Sequence, residues 1–255
     1  MPANYAHHRF GKQVLKTMPA GARQCVQRFR RMYDAGLQGP DIFFYYNPYW
    51  KTPVGELGKT FHRMKGADFF PAACKAASSE AAAAYLYGLL GHYCLDSVCH
   101  PFVNQLHAAA EAKHVVLEAQ FERFLLELDG EKSPQTYNMG RNFRLTRGEC
   151  MTVSGFYPGS TGGKVALSIW LMAHFTSFLS HAERRQQMQI LQKLAPGLHD
   201  QRIPEKEDPD LAPYVRELQD LYGQALERYP RMLSQLTDHL ETGAGFGEDF
   251  AADFG

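Results

Sequence analysis

Cysteine is scarce in this 255-residue chain and irregularly placed. The five thiols, Cys25, Cys74, Cys94, Cys99 and Cys150, are odd in number and contain no CxxC pair, so a disulfide framework is not expected and reduced thiols are. Net charge is lacking too, because 27 basic residues balance 27 acidic ones. Duplex nucleic acid is bound through a basic face, so that partner is not expected, while a local basic groove stays open. No long apolar run exists. The longest, near Ile169 to Phe175, is far short of a bilayer span. The stretch from Met1 to Phe10 has no apolar region of the kind a secretory signal carries, which predicts a cytoplasmic protein, with secretion open if a leader was removed.

What is present is 45% apolar and reads as helix. Val14 to Met18 closes a first short helix before Pro19, and Ala22 to Tyr33 carries Cys25, Val26, Phe29 and Met32 on one stripe, ending near Gly36. Leu37 to Pro40 is a turn, and Gly39-Pro40 marks a break. Ile42 to Trp50 is aromatic and is read as a short helix or extended loop. Gly55 to Met64 is a further helix. Ser79 opens an Ala-rich helix expected to end near His100, because the residue before Pro101 disfavours α geometry. Ala108 to Leu128 is a long helix with Gly130 just beyond it as a C-cap. Leu145 to Phe156 is ambiguous. Lys164 to His181 reads as a buried helix, Glu183 to Leu194 as an amphipathic one, Ile203 to Pro213 as a polar loop and Tyr214 to Leu240 as a long helix with Pro230 inside. The sum predicts one all-α domain over residues 1–242 with about seven to nine helices. Residues 243–255 read as a loose tail.

The informative segment runs from Gly91 to Pro101 and continues at His114 and Glu118. His92 and Asp96 are four apart, as are Asp96 and His100, and His114 and Glu118. Residues four apart share one helix face. Two neighbouring helices can therefore turn imidazole and carboxylate into one cavity, and these are the ligands zinc favours. Buried carboxylates beside Leu and Tyr are costly unless paired or metal-bound. A lone histidine is usually a surface or satisfied core residue, so His8, His107, His174, His181, His199 and His239 stay outside this reading.

These residues resemble the zinc-dependent phospholipase C family, whose fold is shared with the S1/P1-type nucleases. The family pattern is a His, an Asp one turn on, a His shortly after, then a second helix with His and Glu four apart. Upstream, Gly39-Pro40-Asp41 and Phe61-His62 stand where the family has its first Asp and His, and His7 stands where it has its N-terminal His. The resemblance covers roughly residues 4 to 120. It implies one zinc held by Asp41, His62, His92 and Asp96, and a second held by His100, His114 and Glu118 with open positions for water. It implies a third held by His7 and shared Asp96. In secreted members the mature N-terminal Trp adds its amine to that ion. Here the chain reads Met1-Pro2, which leaves the third site weak, absent or completed by the Pro2 amine. The resemblance thus implies two to three zinc ions.

The implied chemistry is phosphodiester hydrolysis by activated water, with Asp41 as general base or water-orienting carboxylate. A phospholipid or other phosphodiester is the expected substrate, reached by transient contact with a membrane surface. Single-stranded nucleic acid is the alternative substrate, and a non-catalytic metal-binding relative is the alternative class. Cys99 falls on the His92–Asp96 face and offers a competing thiolate, though a small buried thiol is the commoner case. Phe43, Phe44, Tyr45, Tyr46, Tyr49 and Trp50 offer either core packing or a wall for a headgroup. The choline-binding Tyr of phosphatidylcholine-specific members is Ile42 here.

Overall fold

The computed structural model describes residues 4–46, 52–181 and 185–255. Tyr49, Trp50 and the Pro2 amine lie outside them. Twelve α-helices stand among the described residues, more than the sequence pattern suggested, and no strand does. In chain order they are α1 (Asn4–Val14), α2 (Ala20–Arg28), α3 (Arg30–Gly36), α4 (Pro53–His62), α5 (Gly66–Ala76) and α6 (Glu80–Ala108). Then come α7 (His114–Leu128), α8 (Arg147–Ser154), α9 (Gly162–Leu179), α10 (Arg185–Leu194), α11 (Pro196–His199) and α12 (Ala212–Thr242). None is long and apolar enough to cross a membrane.

The central element is α6. The Ser79 hydroxyl accepts from Ala82 N–H and starts the helix, and a run of alanines propagates it. Its residues are buried on every side, from Ala82 and Leu86 to Tyr93 and Val103, as befits a helix surrounded by others. Its principal neighbours are α3 and α12. The α3 crossing is closed by paired glycines. A β-carbon on Gly36 would lie 2.2 Å from the Tyr85 carbonyl oxygen, and one on Gly88 2.2 Å from that of Tyr33. The two backbones therefore touch, one turn before His92.

Several boundaries differ from the sequence expectation for physical reasons. α6 does not end at His100 but runs through Pro101 to Ala108. A proline inside a helix costs about 3 kcal/mol. Burial of Val103 and Leu106 just beyond it, worth about 1.5–3 kcal/mol each, offsets that cost. The helix expected from Ala108 starts instead at His114, because Ala110 takes a left-handed φ of 57° and reverses the chain. The aromatic stretch after the turn is a 3-10 helix, Gly39–Tyr45. The single stripe over 22–33 is two helices, broken at Phe29. α8 resolves the ambiguous segment through a capping box between Thr146 and Glu149. α5 had no clear periodic signal, and α12 is continuous through Pro230.

The C-terminal segment is not a loose tail. Phe250 and Phe254 are fully buried, against Phe70 and Tyr93. Gly66 N–H donates to Ala252, and Phe254 N–H to His62. The isolated phenylalanines that looked unsupported in the sequence are the anchors of this segment.

Candidate metal centre

α6 turns His92, Asp96 and His100 toward one interior space, one residue per turn. All three are buried, His92 to 0% and Asp96 to 2% exposure. Asp96 stands between three imidazoles. One carboxylate oxygen is 3.2 Å from His7 Nε2 and 3.3 Å from His100 Nε2, and the other is 3.1 Å from His92 Nε2. Burial pushes the Asp96 carboxyl up, and the charges of His100, His92 and His7 outweigh it, holding it well below the ordinary carboxylate range.

Two groups of ligand atoms converge, each within 4.8 Å: His7, Asp41, His92 and Asp96 in one, and His100, His114 and Glu118 in the other. α1 supplies His7, whose ring stacks on His92 at 4.5 Å. The 3-10 turn supplies Asp41. Gly39 ahead of it takes a φ of 50°, and a β-carbon there would lie 2.4 Å from the His92 ring, so glycine serves both the turn and the close approach. α7 supplies His114 and Glu118, which meet at 3.0 Å. His62, on α4, is outside the first converging set, yet its Nε2 lies 2.7 Å from Asp41. His7 therefore stands with Asp41 and His92 rather than apart from them, as the family pattern implied. Cys99 is in neither group, and burial, with Asp96 adding, pushes its thiol up.

The surroundings suit a cation. His62 Nδ1 donates to the Gly58 carbonyl at 2.8 Å, and His92 Nδ1 to that of Leu37 at 3.2 Å. A carbonyl only accepts, so each Nδ1 carries a proton, which leaves Nε2 of each ring directed inward. The Nε2 atoms of His7, His92 and His100 are buried without a well-directed hydrogen bond, and one Glu118 oxygen is too. Burial pulls the His92 imidazole down to about 3, against the pull of Asp96, so it is neutral. Nitrogen and carboxylate donors in sets of four and three fit zinc, and a three-ligand set leaves a position open.

Glu122 was not picked out from the sequence, although it stands one turn beyond Glu118. It is buried and accepts from the N–H groups of Tyr5 and Ala6, closing the start of α1 just before His7. Burial pushes its carboxyl up to about 8, with those N–H groups pulling the other way.

The centre opens on a cavity of about 370 Å³, lined by Phe44, Lys59, His62, Arg63, His114, Val115, Glu118 and Gly255. Of the described part of the aromatic stretch, Phe44 faces this space, its ring 5.0 Å from that of His62 and tilted against it. Phe43 packs on Tyr157, and Tyr45 accepts from Asn4, so both belong to the core.

A family model described as zinc dependent phospholipase C matches residues 6–151, more than half of the chain and a span that holds all eight candidate ligands. No curated protein and no solved structure matches.

Proposed function

Because the chain belongs to the zinc dependent phospholipase C family, we propose that it hydrolyses phosphodiesters, with phospholipid headgroups as the substrate class. The observation that carries this reading is the pair of converging ligand groups joined at Asp96, beneath a cavity large enough for a headgroup. His7, Asp41, His92 and Asp96 would hold one site, with His62 beside it, and His100, His114 and Glu118 the other. Asp96, touching rings of both groups, would be shared. Bound zinc would polarise the phosphoryl oxygens, acidify water and neutralise the leaving oxygen.

The chain's own residues do the rest. Asp41 is placed to receive the proton of the attacking water: burial raises its carboxyl, but neighbouring positive charge and the His62 contact outweigh it and keep the carboxylate ionised and able to accept. His62, anchored through Gly58, holds Asp41 in place and limits its rotation. His92 is oriented by Leu37, and His7 by the Glu122 clamp on its helix. Substrate reaches the centre from the cavity side, where a transient contact with a lipid surface would present it. Lipid is favoured over single-stranded nucleic acid because Phe44 is the one aromatic side chain among the described residues lining the cavity, and base stacking commonly uses several.

The test is turnover of a generic phosphodiester after chelation and after zinc is returned. Loss followed by recovery supports the reading, and full turnover with metal removed defeats it. Phospholipid micelles and single-stranded DNA, assayed side by side, then separate lipase from nuclease.

A further inference from the structure

The cavity rim carries a feature that the metal chemistry does not use. Lys59 and Arg63 are four apart on α4 and just beyond it, flanking His62, and both line the 370 Å³ cavity. Lys59 is held by Glu56 at 2.9 Å, in an exposed pair three residues apart. Pairs of that kind are weak and exchange readily for a better anion. Arg63 is exposed, and its guanidinium offers the planar fork that matches phosphate or carboxylate. Glu118 is the one carboxylate side chain among the described lining residues, and it belongs to the second ligand group. Among the described lining residues a cationic headgroup would meet two like charges and a single ring, Phe44. A quaternary ammonium is normally held by several aromatic faces. Metal ions would already neutralise the scissile phosphate, which leaves the two side chains for a second anionic group.

We propose that Lys59 and Arg63 form a subsite that selects phosphodiesters whose headgroup bears an additional negative charge, a phosphomonoester above all. The inference rests on the phosphodiesterase reading and names its substrate class. The pair stands beside His62, so the additional anion would lie on the α4 side of the cavity, next to the reacting phosphate.

The experiment compares short-chain phosphodiester lipids with three headgroups, inositol phosphate, inositol and choline, on the zinc-loaded full chain. The expected order of kcat/KM is inositol phosphate, then inositol, then choline. In Lys59→Ala/Arg63→Ala the ratio of phosphorylated to unphosphorylated inositol should fall by about 10- to 100-fold, the worth of a charge-assisted bidentate contact. In Lys59→Glu/Arg63→Glu the preference over choline should reverse. Equal kcat/KM for the three, or a ratio unmoved in the double variant, overturns the subsite. A parallel calorimetric titration with inositol 1,4-bisphosphate and inositol 1-phosphate keeps the two readings apart. If no lipid is turned over, the phosphodiesterase reading fails, and the subsite still stands or falls on whether the bisphosphate binds more tightly and loses that advantage in Lys59→Ala/Arg63→Ala.

Discussion

Replacing Asp96 by Asn changes one atom and one charge at the point where the two ligand groups meet. The geometry says where the damage falls. The oxygen shared by His7 and His100, at 3.2 and 3.3 Å, can remain an oxygen. The amide nitrogen then faces His92 Nε2, 3.1 Å from the present carboxylate oxygen. His92 Nδ1 already donates to Leu37, so Nε2 accepts, and an amide N–H can satisfy it. Metal-free Asp96→Asn should therefore fold, with stability at pH 8 within about 1 kcal/mol of the parent, the net worth of an ordinary hydrogen bond. Zinc binding should suffer far more. A charged contact is worth about 1.5–3 kcal/mol, and its loss weakens each ion by roughly 10- to 100-fold. Thermal stabilisation by excess zinc should shrink by up to about 2.7 kcal/mol for a 100-fold weaker ion. Asp41→Asn should weaken only the first group, because Asp41 takes no part in the second. Competition against a chromophoric chelator reads both affinities, and unfolding in excess chelator reads the metal-free protein. Zinc bound by Asp96→Asn within threefold of the parent at every site would refute the shared role. An unfolded metal-free variant would refute the packing argument.

Acidification should release zinc before it unfolds the chain. Burial lowers His7 and His114, but Asp96 and Glu118 outweigh it and leave both raised, so protons compete with metal at these rings as the pH falls; dialysis and elemental analysis across pH 8 to 5 would show it, and unchanged metal content at pH 5 would contradict it. The Glu122 carboxyl is raised from 4.5 to about 8, so folded chain holds a proton that unfolded chain has lost, and metal-free stability should fall between those pH values. Glu122→Gln should flatten that decline by a few kcal/mol in urea titrations at pH 5 and pH 8, and an unaltered slope would count against it. Gly88→Ala should cost about 1–3 kcal/mol, since its β-carbon would meet the Tyr33 carbonyl oxygen at 2.2 Å, whereas Gly223→Ala on α12, with nothing within 4 Å, should stabilise by up to about 1 kcal/mol. Equal effects of the two substitutions would disprove the close crossing.

The all-α class was legible because α6, α7, α9 and α12 carry apolar stripes or Ala-rich runs long enough to announce themselves. The candidate ligands were legible through i, i+4 spacing on α6 and α7, where one helix face determines one direction. Tertiary effects stayed hidden. Pro101 reads locally as a stop, and only the burial of Val103 and Leu106 overrides it. His7 and Asp41 come from separate elements, so spacing alone could not place them beside His92; the family resemblance implied it for Asp41 and gave His7 to a separate ion with Asp96. Glu122, Lys59 and Arg63 left weak signals, a second acid on the Glu118 stripe and two cations flanking His62. Nothing local could reveal that Phe250 and Phe254 find a slot against Tyr93, because that slot is built from residues some 150 positions earlier.

The docked C-terminal segment gives the chain the layout of a nearly closed loop. His92 has His7 stacked on it at 4.5 Å and the Phe254 ring at 6.0 Å, so residues from the two ends of the described chain meet on one imidazole. Gly255 lies against His100 and lines the cavity. Whatever polypeptide follows Gly255, natural or added, must leave through the mouth that substrate would use. A polyhistidine tag placed there would hang its imidazoles over the zinc ligands and distort both metal counts and kinetics. The exposed turn at Gly130, with open space around its α-carbon, is the better place to attach a handle.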